Sequence, residues 1–170
     1  IGPALAQTST AATDEAAQQA KQTQEQVANA TALYTPQVLA LATGLSAYPL
    51  RDDLPLEAAA RSKSCGSSLT LRLATDAEGR IAQIGLKAQA CAIGQAAAAI
   101  FAQAAVGRSG AEVAEAGQAL DAWLAGDGPR PNWPRLELLE PARAYPARHG
   151  AIKLAWQAAR ELLPTSAQPR

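Results

Sequence analysis

Apolar positions along this chain follow two different periods, and the change of period marks its organisation. Behind Thr35-Pro36, a capping residue followed by proline at the first helical position, Val38, Leu39, Leu41, Ala42 and Leu45 recur at helical spacing. Tyr48-Pro49 closes that predicted helix. Arg51 to Pro55 is a polar connection, and Glu57 to Lys63 fits either an edge strand or a helical turn. From Ser68 the period drops to two: Leu69, Leu71 and Leu73 alternate with Thr70, Arg72 and Ala74, Asp76 to Gly79 reads as a turn, and Ile81, Ile84 and Leu86 form a second run. This is a hairpin. Ile81 is out of phase with Ile84 and Leu86, and Gly85 lies between the latter two, which predicts a bulge or a close backbone approach.

The helical period then returns. Ala92 to Val106 is almost entirely alanine with Ile93, Ile100 and Phe101, a composition that suits a buried helix lying very near the sheet, with Gly107 as its C-terminal cap. Ser109 opens a helix carrying Val113, Ala116, Leu120 and Leu124, and a Gly/Pro-rich loop runs from Gly126 to Pro134. Leu136 to Leu139 forms a short helix, Pro146 interrupts, and Ala151 to Leu163 makes the last amphipathic helix. Residues 1–31, rich in Ala, Gln and Thr, hold few large apolar side chains and read as a peripheral helix or a disordered extension. A folded domain over 32–165 and a tail over 166–170 complete the chain. The expected class is α+β, with a small antiparallel sheet of about three strands packed in two layers against several helices.

Composition narrows the function. Fifteen basic and fifteen acidic side chains cancel, so the global field that drives nucleic-acid or anionic-membrane binding is missing. No apolar run approaches the roughly eighteen residues of a membrane span, and no basic-then-apolar signal is visible. Ala4-Leu5-Ala6-Gln7 mimics a cleavage site without the apolar stretch that should precede it. A chain without Met is expected to be a fragment, a processed form or one with an unusual start. With two cysteines the disulfide-framework reading is weak, and a reducing, cytoplasmic setting is the expectation.

Those two cysteines are the candidate chemistry. Cys65 and Cys91 stand 26 positions apart and frame the hairpin. Two thiols brought together by a fold make a metal, cluster or sulfur-transfer site; two thiols packed as small apolar groups make none. Cys91 lies at the mouth of the Ala-rich helix, whose N-terminus favours a thiolate. His149 follows Arg148 on an expected exposed turn, Trp123, Trp133 and Trp156 read as core or loop anchors, and the carboxylates show no paired arrangement for acid/base catalysis. Arg143, Arg148, Lys153 and Arg160 make either a basic face for an acidic partner or a solvated helix face.

Four stretches carry a resemblance. Tyr34-Thr35-Pro36-Gln37-Val38-Leu39 looks like a tyrosine-led opening helix, and Ser64-Cys65-Gly66-Ser67 like a C-G-D loop before a strand. Ala90-Cys91-Ala92-Ile93-Gly94-Gln95-Ala96 is similar to G-C-A-I-S-x-A, with Val106-Gly107-Arg108-Ser109 where a K-G-K-T turn is expected. Tyr145-Pro146-Ala147-Arg148 and Leu154-Ala155-Trp156 look like the passage from F-P-x-R-V-K-C into L-A-W. Over roughly residues 33–163 the chain thus resembles the iron-sulfur cluster assembly scaffolds of the IscU, SufU and NifU N-terminal type. The resemblance implies a non-enzymatic scaffold or sulfur/cluster carrier using Cys65 and Cys91, with a cysteine desulfurase as partner.

The departures bear on that expectation. Such scaffolds place three Cys and one Asp around the metal, whereas here Ser67 takes the Asp position, Ala151 the third Cys position and Gly150 the position before it. Two chains each giving Cys65 and Cys91 supply four thiolates to a bridging 2Fe-2S cluster in a homodimer; His149 offers instead a nitrogen to a Cys-Cys-His zinc site. Sulfur transfer alone, one Cys accepting a persulfide and the other passing it on, needs no metal. The alternative is a degenerate paralogue that keeps the shape as a protein-binding adaptor or regulator of a desulfurase.

Overall fold

A computed structural model of the chain describes residues 4–164, except for the side chains of residues 4–10 and 29. The expected tail over 166–170 lies outside the described residues. Two units divide between Leu33 and Tyr34. The first is one helix, α1 (Ala4–Leu33). Its described side chains from residue 11 to residue 28 are all exposed. Helix propensity of Ala, Gln and Glu holds it locally, while threonine hydroxyls such as Thr23 Oγ1 donate one turn back, here to the Gln19 carbonyl (2.9 Å).

The second unit begins with α2 (Pro36–Gly44). Its Thr35 hydroxyl accepts from the Val38 amide at 3.2 Å, and Pro36 occupies the first turn, where no amide hydrogen is needed. A 3-10 turn (Leu45–Ala47) delivers the chain to the sheet, where the Leu86 amide donates to the Tyr48 carbonyl at 2.9 Å. The sheet is β1 (Leu56–Arg61), β2 (Ser68–Thr75) and β3 (Ile81–Gln89), antiparallel in the order β1-β2-β3. Leu69, Leu71 and Leu73 are buried, as their alternation requires.

Both readings of the Ile81/Gly85 irregularity are realised. The register slips at Ala74/Thr75, which lets Ile81 turn inward with Ile84 and Leu86. At Gly85 a Cβ would strike the Pro49 carbonyl, so only glycine admits the crossing segment. The segment left open between strand and helical turn is the edge strand β1.

Helices α3 (Ala92–Ala105), α4 (Gly110–Ala125) and α5 (Pro146–Leu162) follow, with a 3-10 segment (Leu136–Ala144) before the last. α3 and α5 pack on the sheet and on each other, α4 packs on α5 and α2 on α3, giving the expected two-layer α+β fold. Pro146 does not interrupt a helix: it starts α5, five residues before the expected Ala151, because proline fits a first turn. Arg143 and Lys153, read as part of a basic face, have partners within the fold: Arg143 Nε donates to the Trp123 carbonyl (3.0 Å) and Lys153 pairs with Asp121 (3.4 Å).

The core centres on three aromatic rings. Phe101 stacks on Trp133 at 5.3 Å, and Trp156 meets both edge-on at 5.2 and 5.4 Å. Trp133 Nε1 donates to the Ile100 carbonyl at 2.9 Å. All three tryptophans are buried. Truncating a side chain like Trp156 to Ala in such a cluster costs about 3–5 kcal/mol, so this cluster fixes how α3 and α5 meet.

Candidate functional site

The loop between β1 and β2 is short and tightly bonded. The Ser62 amide donates to the Ser67 carbonyl (2.8 Å) and the Gly66 amide to the Ser62 carbonyl (3.2 Å); Gly66 takes the left-handed φ of 69° that the turn requires. Cys65 is exposed at the tip of this loop. Its Sγ lies 3.3 Å from Ser62 Oγ and 3.1 Å from Ser67 Oγ, while Ser62 and Ser64 hydroxyls are 3.1 Å apart. Ser62 and Ser67 are themselves buried, so the hydroxyls are held in place rather than free to turn to water.

This setting acts on the thiol. Hydroxyl donation from Ser62 and then Ser67 favours the thiolate and lowers the Cys65 pKa from 9.0 to about 7; slight burial opposes this, and the Ser67 amide and Ser64 assist. The sulfur, donor to the serines as a thiol, becomes their acceptor as a thiolate.

Cys91 is placed differently. It is the N-cap residue of α3, half-buried, with extended backbone (φ −63°, ψ 170°) and no side-chain capping bond. Its carbonyl accepts from the Gln95 amide at 2.9 Å, so the backbone alone starts the helix and the thiol is not consumed in doing so.

Strand register puts the two cysteines at one end of the sheet. Ser68 pairs with Gln89, so the loop entering β2 and the turn leaving β3 lie together. The start of α5 lies against both. A Cβ on Gly150 would collide with Ser62 Oγ and come within 3.1 Å of Ser64 Oγ, and a Cβ on Gly94 would come within 3.1 Å of the Ala151 Cβ. Residues 150 and 151 are therefore wedged between the Cys65 loop and the first turn of α3. Gly150 is bare because the serines fill its space.

Metal donors are few here. His149 Nε2 contacts the Arg143 carbonyl at 2.9 Å, which turns that nitrogen toward the preceding 3-10 segment. Ser67 Oγ is bonded to Cys65, and Ala151 has nothing to donate. Among the described residues no three His, Cys, Asp or Glu side chains form a group able to hold a metal. A closed four-donor zinc or cluster site does not fit a single chain.

The same architecture recurs in solved structures. The N-terminal part of a nitrogen-fixing NifU-like protein from Brucella abortus is 26% identical, aligned over 79% of this chain and 94% of that one with a TM-score of 0.72. By fold, this chain is of the IscU/SufU/NifU type. A SufU structure from thermophilic Fervidobacterium islandicum AW-1, described as an iron-sulfur cluster assembly scaffold protein for the SUF system, is 18% identical over 79% of this chain and 98% of that one, with a TM-score of 0.69. A hypothetical protein matches at 22% identity over 73% of this chain and 94% of that one, TM-score 0.55. No protein-family model and no curated protein sequence matches.

Within this fold Ser67, expected as a strand-entry hydroxyl at the position of an Asp ligand, is instead part of a hydroxyl cradle around Cys65. The signal was present as Ser62, Ser64 and Ser67 spaced around Cys65, but their convergence on one sulfur depends on the turn at Gly66. No described helix is long and apolar enough to cross a membrane.

Proposed function

We propose that this chain serves iron-sulfur cluster assembly as a sulfur carrier, Cys65 receiving sulfur from a cysteine desulfurase and Cys91 taking it onward. The observation that carries the reading is Cys65 itself: an exposed thiol on a scaffold-type fold, bonded to two fixed hydroxyls that bring its pKa to about 7. A thiolate present at neutral pH is the form that attacks sulfur.

In the first step the Cys65 thiolate attacks the terminal sulfur of a persulfide on the desulfurase. A bond forms from Cys65 Sγ to that sulfur, the donor's S–S bond breaks, and the donor leaves as a thiolate. Cys65 then carries S–SH. The Cys91 thiolate attacks the same outer sulfur, which moves across while Cys65 regains its thiolate. Neither step oxidises or reduces the pair overall, so no reductant is needed.

The donor set favours transfer over storage, since two thiolates leave a 2Fe-2S cluster or a zinc ion short of ligands. Anaerobic incubation of the full chain with a cysteine desulfurase and cysteine, followed by intact-mass spectrometry, should add one sulfur atom to the wild type. Cys65→Ala should gain none, and Cys91→Ala should retain the sulfur on Cys65. A wild type that gains no sulfur contradicts the carrier. If it still co-elutes with the desulfurase, the adaptor reading, favoured by Ala151 and the Arg143-bound His149, takes its place.

A further inference from the structure

We infer that the open edge of the sheet is a self-association surface, where β1 pairs antiparallel with β1 of a second copy of this chain about a two-fold axis at Ala59. The sheet order leaves β1 with a neighbour on one side only. The Ser62 amide bonds the Ser67 carbonyl, and hydrogen-bonded pairs recur at every second residue of an antiparallel ladder. Counting back, Ala60, Ala58 and Leu56 turn their backbone groups to β2, whereas Glu57, Ala59 and Arg61 turn theirs outward. Among the described residues nothing outside the sheet takes those outward groups.

Such an edge is a template for another strand, and charge normally guards it. Here the charges are self-complementary. With Ala59 opposite Ala59 of the second copy, Glu57 faces Arg61 of the second copy and Arg61 faces its Glu57. A slip of two residues takes Arg61 off Glu57, setting Glu57 against Ala59 in one direction and, in the other, against Lys63, which lies in the turn beyond the end of β1; a slip of four sets Glu57 against Glu57 or Arg61 against Arg61. One register is therefore selected, and it is isologous.

The side chains suit it. Glu57, Ala59 and Arg61 are all exposed on one face, and Ala59 offers no bulk to hold a second backbone away. The Arg61 guanidinium has no partner among the described residues. Glu57 already accepts from Arg72 Nε through Oε2 (2.6 Å), which holds the carboxylate over the strand and leaves its other oxygen for a second cation. A single strand pair is a small interface, so the dimer is concentration-dependent and weakened by salt. The axis at Ala59 puts the two Cys65 loops at opposite ends of the joined strands, so each copy keeps its own cysteine pair.

Sedimentation equilibrium of the full chain at low ionic strength and rising concentration tests this. The mass should climb from 17.5 kDa toward twice that value for wild type. Arg61→Glu and Glu57→Arg should each stay at the monomer mass alone and recover the dimer when mixed, since the mixture restores both ion pairs. Ala59→Pro removes an outward amide and should also stay monomeric, with an unchanged circular dichroism spectrum. A wild type that remains at 17.5 kDa throughout overturns the inference, as does a dimer that survives Ala59→Pro or a mixture of charge variants that fails to associate.

Discussion

Cys65 and Cys91 occupy the same end of one sheet yet stand in opposite environments. Cys65 sits exposed on a turn, its sulfur bonded to Ser62 and Ser67; Cys91 starts a buried helix, half-buried, and its thiol makes no capping bond. The difference teaches that shared location does not make equivalent ligands. Hydroxyl donors around one sulfur favour an attacking thiolate, while a cluster requires matched donors closing around a metal. Near the start of α5 the fold supplies Gly150 and Ala151, one giving room to serines and the other filling the contact with Gly94.

Adding donors should have the largest effect on this contrast. S67D/A151C places a carboxylate and a third thiol at the wedge between loop and helix, and is expected to bind zinc on the order of 100-fold tighter than wild type by calorimetric titration. An unchanged affinity would show that the two cysteines do not face a common space.

Filling the space at Gly150 comes next. Gly150→Val drives a side chain into Ser62 and Ser64, so it should cost about 1–3 kcal/mol in urea unfolding and should raise the Cys65 thiol pKa by displacing its donors. Preserved stability would mean that the loop moves aside freely.

Labelling separates the two sulfurs most simply. At pH 7 iodoacetamide should modify Cys65 about tenfold faster than Cys91, from exposure and thiolate character together. Equal rates, read by peptide mass spectrometry, would erase the distinction.

Local signals in the sequence were legible and contacts between distant segments were not. Thr35-Pro36 starts α2 as its capping chemistry dictates, and the alternation of Leu69, Leu71 and Leu73 gives β2 directly. The alanines of β1 suit strand and helix alike, and only pairing with β2 decides between them. Pro146 is compatible both with a break before a helix and with the first turn of one, and the apolar spacing from Ala151 onward does not distinguish the two. Both cysteines were visible as a pair; the serine cradle and the turn of His149 toward the Arg143 carbonyl were not, because each joins side chains to positions that only the folded backbone brings near.

The most direct measurement is a pH titration of the Cys65 thiolate, followed by its ultraviolet absorbance in Cys91→Ser. The thiolate is the form favoured by the serines, so the signal should rise with pH about a midpoint near 7 and fade below it. In the same background, S62A/S67A should move the midpoint up toward the ordinary 9.0. A midpoint at the ordinary value in the parent, or one unmoved by loss of both hydroxyls, would contradict the account.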